Sequence, residues 1–541
     1  MNWQAIRTLV LLATAMSLLS TDIASADTIC VPDDRARIQW AVDNATDGDT
    51  IIVQDGTYSE NVDVNKRLVI RSENGAESCI VDASDPHDHV FEILSDSVVI
   101  NGFTVRNTTD TGIHVTDSDH VNISDCVVEN NVFGICTTSS DYSDITRNIV
   151  RDNTNGICLA SSPYATLTEN TLSNNRVRNL GTSGTDSDSY WRKHNIDTTN
   201  TVNGKPVYYY VDSNDLTIEN LDAGHITLVD CNNATVRGCR VIGCDELQLT
   251  STDDSLIEGN TVCGTEYAIW LLYSSNNVVR GNTANDNDGS GNGIRVQHGV
   301  DNRIENNTLK RNYMGVYAEG CENTTIINNR IEDNSYGCWL YNQNQILHNT
   351  IQGSEYHGLN IMGGENQVAE NTIIDNGNTS WSCGIALSGS LSNNLIYNNY
   401  FDNPNNAHDD GANTWNTTNT TGHNIVGGSE IGGNYWGDYE GDDADGDGFG
   451  EEAYDIAGGL NQDYLPLVCA SATCGDITGD GTIDTVDLVL LLKHCVTGTP
   501  VDLCIGDIDG NGNINVLDVR LLMGYINNPG GYSLHCGCGE E

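Results

Sequence analysis

The chain has 541 residues and carries Asp+Glu 76 against Lys+Arg 24, a formal net charge of −52. So acidic a surface repels phosphates, which excludes nucleic acid as a partner. With Gly 55 and aromatic residues at 6%, the composition departs from that of an ordinary α/β enzyme and suits a repetitive β structure.

Residues 1–26 read as a secretory signal peptide. Arg7 precedes an apolar run from Leu9 to Leu19, and Ala24-Ser25-Ala26 forms a small-residue cleavage site. The run is short for a membrane span and no later stretch is as apolar. This predicts a secreted or extracellular protein, including one held at the cell surface, with no stable membrane insertion after cleavage. The 18 cysteines fit an oxidising compartment, where such usage normally means disulfides. Sequons such as Asn107-Thr108-Thr109 and Asn323-Thr324-Thr325 permit glycosylation.

Residues 27–468 read as one repeat array. Ala36 to Ala45 is an amphipathic stretch suited to covering an open solenoid end, and Asp47-Gly48-Asp49-Thr50-Ile51-Ile52-Val53 turns into a first strand. Gly112-Ile113, Gly134-Ile135 and Gly156-Ile157 recur at steps of 22, as do Gly293-Ile294, Gly315-Val316 and Gly337-Cys338. A second phase places an apolar residue three before and another two after a central Asn, at Asn148, Asn170, Asn260, Asn307, Asn329, Asn349, Asn371 and Asn398. Cys126 and Cys239 take the equivalent slot. A period near 22 with short apolar pieces and Asn/Gly turns predicts a parallel β-solenoid, its rungs about 4.8 Å apart, with stacked asparagines forming a hydrogen-bonded ladder.

The opening rung resembles that of pectinase-like β-helices. From about 176 to 215 the pattern breaks, and the segment Tyr190-Trp191-Arg192-Lys193-His194 through Val207-Tyr208-Tyr209-Tyr210, with the repeats, resembles the NosD-type β-helix proteins. That resemblance implies an all-β, right-handed parallel β-helix and leaves function open. The group is named for a copper-binding protein, but the chain has only five Met and its histidines show no repeated close spacing suited to copper.

Alternation allows the outer face to be read: if the residue after each repeat Gly points inward, the next points outward. His114, Cys136, Cys158, Trp270, Arg295, Tyr317, Trp339 and Asn360 then share one outward column, with Leu272, Gln297, Glu319, Tyr341 and Met362 beside them. Trp270, Tyr317, Trp339 and Tyr341 form an aromatic strip flanked by Arg295 and Glu319. Aromatic rings stack on the C–H faces of sugars and charged groups bind hydroxyls or uronate carboxylates, so these six residues are the candidate polysaccharide-binding set. The competing reading is packing beneath the inserted segment. Glu319, Arg295, His298 and His357 offer acid–base groups, but no motif fixes a catalytic residue. Asp85-Pro86-His87-Asp88-His89 is similar to the Asp-Pro-His motif of alginate epimerase β-helices, although it lies in an early connecting segment.

The closing segment, about 430–468, contains Gly433-Asn434-Tyr435-Trp436-Gly437-Asp438-Tyr439 and then Asp443, Asp445 and Asp447 at the spacing of a calcium loop. Tyr454 stands at its twelfth position, where a ligand is expected.

Residues 474–528 hold two full loops of that kind. Asp476, Thr478, Asp480, Thr482, Asp484 and Asp487 make one, and Asp507, Asp509, Asn511, Asn513, Asn515 and Asp518 the other; each places Gly at position 6 and runs into an apolar helical stretch. Two such loops in register wrap two calcium ions. The pair resembles a type I dockerin, which implies calcium as cofactor and a cohesin as partner. Thr478 at position 3, and Thr485-Val486 and Val516-Leu517 at positions 10 and 11, depart from the usual residues. A Cys-rich tail, 529–541, follows, and Cys474, Cys495, Cys504, Cys536 and Cys538 crowd this end. Two functions fit the whole: a polysaccharide-binding or polysaccharide-processing protein (hydrolase, lyase or epimerase if it turns substrate over), or a non-catalytic surface or adhesion protein using the solenoid as a protein-interaction scaffold.

Overall fold

The computed structural model describes residues 26–184, 192–287, 291–388, 393–468, 474–478, 482–497, 501, 503–511, 513–529 and 531–536. The signal-peptide reading, Tyr190, Trp191, Asp480 and Cys538 therefore lie outside the described residues, Ala26 excepted. The chain forms a right-handed parallel β-helix, with a few short helices, and divides into two compact units, Met1–Arg176 with Gly181–Gly184, and Val177–Leu180 with Thr185–Glu541.

In the first unit the helix Ile38–Asn44 buries Ile38, Ala41 and Val42. Both its ends are closed by side chains. Glu60 accepts the amides of Ile38 and Gln39, each at 3.0 Å. Lys66 Nζ donates to the carbonyls of Val42, Asp43 and Ala45, each at 2.9 Å. An anion at the N-terminus and a cation at the C-terminus match the helix dipole and satisfy groups that the helix cannot.

A typical rung of the second unit consists of Asn292–Gln297, Arg303–Glu305 and Thr308–Lys310, each paired in parallel with its equivalents on the neighbouring rungs. Inward positions stack as an apolar column: Ile269, Ile294, Val316, Cys338, Leu359 and Ile385 are all fully buried. Such short strands carry too little apolar surface to fold singly, so rung stacking supplies the core.

At one corner of each rung a residue in the left-handed region precedes an inward-pointing Asn. Asn306, Asn328, His348 and Glu370 have φ between 53° and 59°. The asparagine that follows each one offsets this cost. Asn282, Asn307, Asn329, Asn349 and Asn371 each pass Oδ1 to the backbone N–H of the rung before, at 2.9 Å throughout. Cys126 and Cys239 occupy the same slot, their amides bonded to Asn148 and Asn260. The ladder's later member is Asn399, not Asn398. Asn371 N donates to Asn399 Oδ1 at 3.0 Å, whereas Asn398 takes the left-handed corner at φ 55° and accepts the Ile425 amide. Apolar neighbours fit both positions in sequence, and only the corner geometry separates them.

The described part of the inserted segment includes the antiparallel pair Thr201–Val202 with Lys205–Val211, after which Lys205–Val211 rejoins the parallel sheet against His225–Val229. The closing segment packs Tyr435, Phe449 and Leu467 onto Ile374 and Tyr400. The C-terminal helices Thr485–Thr497 and Val516–Asn527 share a small core of Leu491, Ile508, Val519 and Leu522, and Cys474 and Cys536 are joined by a disulfide. Most other described cysteines behave differently from the expectation set by their number. Cys126, Cys239 and Cys338 are buried, unbridged thiols that fill the solenoid as small apolar side chains.

Candidate functional site

Parallel register places Gln248, Trp270, Arg295, Tyr317, Trp339 and Asn360 on successive rungs of one column. The Arg295 guanidinium lies 4.5 Å from the Tyr267 ring centre, 5.5 Å from that of Trp270 and 5.2 Å from that of Tyr317. Trp270 Nε1 donates to Gln297 Oε1 at 3.1 Å, and Gln297 Nε2 donates to Glu319 Oε2 at 2.8 Å. Burial, with the Glu319 carboxylate as its hydrogen-bond partner, holds the Tyr317 phenol well above its usual range and therefore neutral. Tyr341 follows Leu340, the last paired residue of its strand, and lies near enough to act electrostatically on the Tyr317 phenol. The six residues named from sequence are thus brought together, all of them half-buried.

One end of the column is covered. Thr227 and Gln248, the positions before Trp270, are buried. Arg178 stacks over Tyr267 at 5.4 Å and Trp270 at 5.5 Å, and its Nη2 reaches Glu246 at 3.3 Å and Glu266 at 3.6 Å. Asp245 fastens the same segment, accepting the amides of Asn179 and Leu180, each at 2.8 Å. Further along, Tyr209 Oη donates to the Arg192 carbonyl at 2.6 Å, and burial depresses His194 to about 3, keeping it neutral. Asp245, Glu246 and Glu266 thus hold the segment containing Arg178, Asn179 and Leu180 beside Trp270. Burial raises the Glu246 carboxyl, a cost that Arg178 offsets. Leu272 and Asn360, read as outward, are covered as well.

At the other end lies a cluster that the outward-column reading missed. Tyr313 meets Tyr336 edge-on at 5.6 Å, Tyr336 meets Trp339 at 5.2 Å and Tyr356 at 5.0 Å, and Tyr356 stacks on Trp381 at 5.1 Å and 20°. Trp381 is 58% exposed. His357 adds its ring edge-on to Trp381 at 5.5 Å, and burial lowers its pKa. A cavity of about 350 Å³ adjoins Tyr313, lined also by Arg311, Asp333, Ser335 and Glu355. The signal was present in sequence: Tyr313, Tyr336 and Tyr356 each precede a repeat glycine by one or two residues. Trp381, by contrast, lies in a segment outside the repeat.

The paired loops build sites of a different kind. Asp487 is fully buried and accepts the amides of Thr478 and Asp484, each at 2.8 Å; Asp518 is also fully buried and accepts those of Asp509 at 3.1 Å and Asn515 at 2.7 Å. Position 9 doubles as helix N-cap: Asp484 accepts the Val486 amide and Asn515 that of Leu517. Asp507, Asp509 and Asp518 bring carboxylate oxygens within 4.8 Å of one another. Like charges so close and so buried suit a cation of the calcium type. Asp443, Asp445 and Asp447 also converge within 4.8 Å, with Asp443 accepting the amides of Gly446 and Gly448. Tyr454, at the twelfth position, instead stacks on Trp436 at 4.1 Å and donates to Asp438.

A family model described as periplasmic copper-binding protein (NosD) matches residues 42–190 and 285–441, more than half of the chain. The chain belongs to the NosD family. Within this NosD-family protein, a right handed beta helix region model matches 194–315 and a dockerin type I domain model matches 474–527. A cell surface glycoprotein of Methanothermus fervidus is 36% identical over 97 residues, which is 18% of this chain and 15% of that relative. The chain therefore spans only a small part of that relative's length. Among solved structures, the Dettilon tailspike protein is 12% identical at a TM-score of 0.31, covering 67% of this chain and 68% of its own. The catalytic unit of a thermostable α-1,3-glucanase from Streptomyces thermodiastaticus is 12% identical at 0.29, with 72% and 68% covered. Among the described residues, no helix is long and apolar enough to cross a membrane.

Proposed function

We propose that this NosD-family protein is a secreted polysaccharide-binding β-helix, anchored through a calcium-loaded dockerin to a cohesin-bearing partner. One observation carries the first half: the half-buried Tyr317 and Trp339 continue into the Tyr336, Tyr356 and Trp381 cluster, with Arg311, Asp333, Glu319 and Glu355 beside them. Rings presented on successive rungs match the repeating faces of a polymer, and the flanking charges match hydroxyls or uronate groups. Trp270 supports the face from beneath Arg178 and Arg295.

For the second half, Asp476, Thr478, Asp480, Thr482, Asp484 and Asp487 would hold one calcium ion, and Asp507, Asp509, Asn511, Asn513, Asn515 and Asp518 the other. Asp443, Asp445 and Asp447 supply a third, partial set. Ordering of the loops presents Val486 (54% exposed), Val516 (68%) and Leu517 (50%), apolar groups at the positions that face a cohesin in dockerins. Exposed apolar side chains at both helix starts suit a protein partner.

The test uses the full chain with calcium and a panel of neutral and acidic polysaccharides. Binding, reducing ends and unsaturated products are followed together. Trp381→Ala combined with Tyr356→Ala is expected to weaken binding at least tenfold; unchanged affinity in a folded double variant would discard this face. Product formation would make the protein a hydrolase, lyase or epimerase. Absence of both binding and turnover would favour the second reading, a surface-interaction scaffold, which the matched segment of a cell surface glycoprotein supports.

A further inference from the structure

In the first unit the outward column runs Asp63, Glu92, His114, Cys136 on successive rungs. Register therefore sets Glu92 and His114 side by side. His89 joins them from the connection preceding Phe91–Ile93, its carbonyl held by Asn61 Nδ2 at 2.8 Å. The His89 and His114 ring centres are 4.3 Å apart, and the two imidazoles and the Glu92 carboxylate each offer a ligand atom, all within 4.8 Å of one another. All three side chains are half-buried.

The ring nitrogens are poorly used by the protein itself. His114 Nε2 approaches Thr138 Oγ1 at 3.4 Å, while its Nδ1 is buried with no hydrogen-bond partner among the described residues. His89 Nδ1 is buried 3.2 Å from Asp110 Oδ1 without hydrogen-bond geometry. Two neighbouring imidazoles beside a carboxylate, each with one buried ring nitrogen that makes no hydrogen bond among the described residues, are unfavourable as a purely structural cluster, because buried polar atoms normally find partners.

We propose that His89, Glu92 and His114 form a site for a borderline divalent transition ion, with Asp110 orienting the His89 ring. Two imidazole nitrogens and one carboxylate oxygen are a donor set that Zn²⁺ and its neighbours accept and that Ca²⁺ and Mg²⁺, which prefer all-oxygen shells, do not. Three protein ligands leave a coordination position for water or a substrate oxygen. This site is separate in the chain from the oxygen-only calcium loops.

The experiment takes the full chain without a polyhistidine tag, stripped by chelator and resaturated with Ca²⁺ so that the acidic loops are filled. Zn²⁺ is then titrated by calorimetry, and Co²⁺ by its visible absorption. The expected result is one tight equivalent of Zn²⁺ and a Co²⁺ spectrum of nitrogen and oxygen ligation. Both should weaken by about 10–100-fold or more in His89→Gln and in His114→Gln. Glu92→Gln, which keeps both imidazoles and the strand register, provides the control if a histidine variant does not fold, and is expected to weaken Zn²⁺ as well. Failure of the wild-type chain to bind Zn²⁺, or equal binding by folded His89→Gln, His114→Gln and Glu92→Gln chains, would overturn the proposal.

Discussion

Asn307 offers a direct test of what holds the rungs together. Its side chain is 1% exposed and makes four hydrogen bonds. Oδ1 accepts Asn282 N at 2.9 Å and Asn282 Nδ2 at 3.0 Å, and Nδ2 donates to the Val279 carbonyl at 2.9 Å and Asn329 Oδ1 at 3.0 Å. Asn307→Ala removes all four and leaves a buried backbone amide unpaired. At about 1 kcal/mol net for each bond the loss is about 4 kcal/mol, with the stranded Asn282 amide adding to it. Because solenoid stability is local, the sensitive assay is amide hydrogen exchange on this rung and the one before, where protection should fall about a thousandfold. Asn307→Asp sharpens the prediction. It has the same shape and still accepts from Asn282, but it turns an acceptor toward Val279 O and Asn329 Oδ1. Burial raises its folded pKa above the unfolded value of about 3.9, so the variant is least stable at neutral pH. It should recover as pH falls through the folded pKa and the carboxyl regains a proton to donate. A loss under about 1 kcal/mol in Asn307→Ala, or an Asn307→Asp chain as stable as wild type at pH 7, would refute the ladder argument.

Trp270→Ala should leave polysaccharide affinity closer to wild type than Trp381→Ala does, since Arg178 already covers Trp270; equilibrium binding of the two single variants checks the order. If the loops hold calcium as proposed, chelation should leave Asp507, Asp509 and Asp518, whose carboxylates converge within 4.8 Å, to repel one another, loosening residues 474–536 and weakening the proposed docking while exchange protection of the solenoid rungs persists. Arg106 bonds to Asp82 through Nε at 2.7 Å and Nη2 at 3.1 Å, and holds that carboxyl below its usual range. Its contribution is therefore present above the unfolded carboxylate pKa of about 3.9 and lost as pH falls through the lower folded value; acid unfolding of Asp82→Asn should start from lower stability at pH 6 and show a shallower pH dependence below 4.

The repeat of 22 and its alternation determined, by themselves, which side chains stand one rung apart: Arg295, Tyr317 and Trp339 on the outside, Ile294, Val316 and Cys338 within. Parallel pairing makes neighbours of residues one period apart, so a column is visible before any coordinates exist. The paired loop motifs were legible for a related reason, since all the residues proposed to hold one ion come from one short stretch of chain. Segments that leave the period were decided only in three dimensions. The return of Val177–Leu180 over Trp270, the placing of Trp381 on Tyr356, the shift of the ladder from Asn398 to Asn399 and the meeting of His89 with His114 all depend on where an irregular connection lands. Such a connection is positioned by contacts such as Asp245 with the Asn179 amide or Asn61 with the His89 carbonyl, which join residues at no fixed spacing and leave no periodic trace in the sequence.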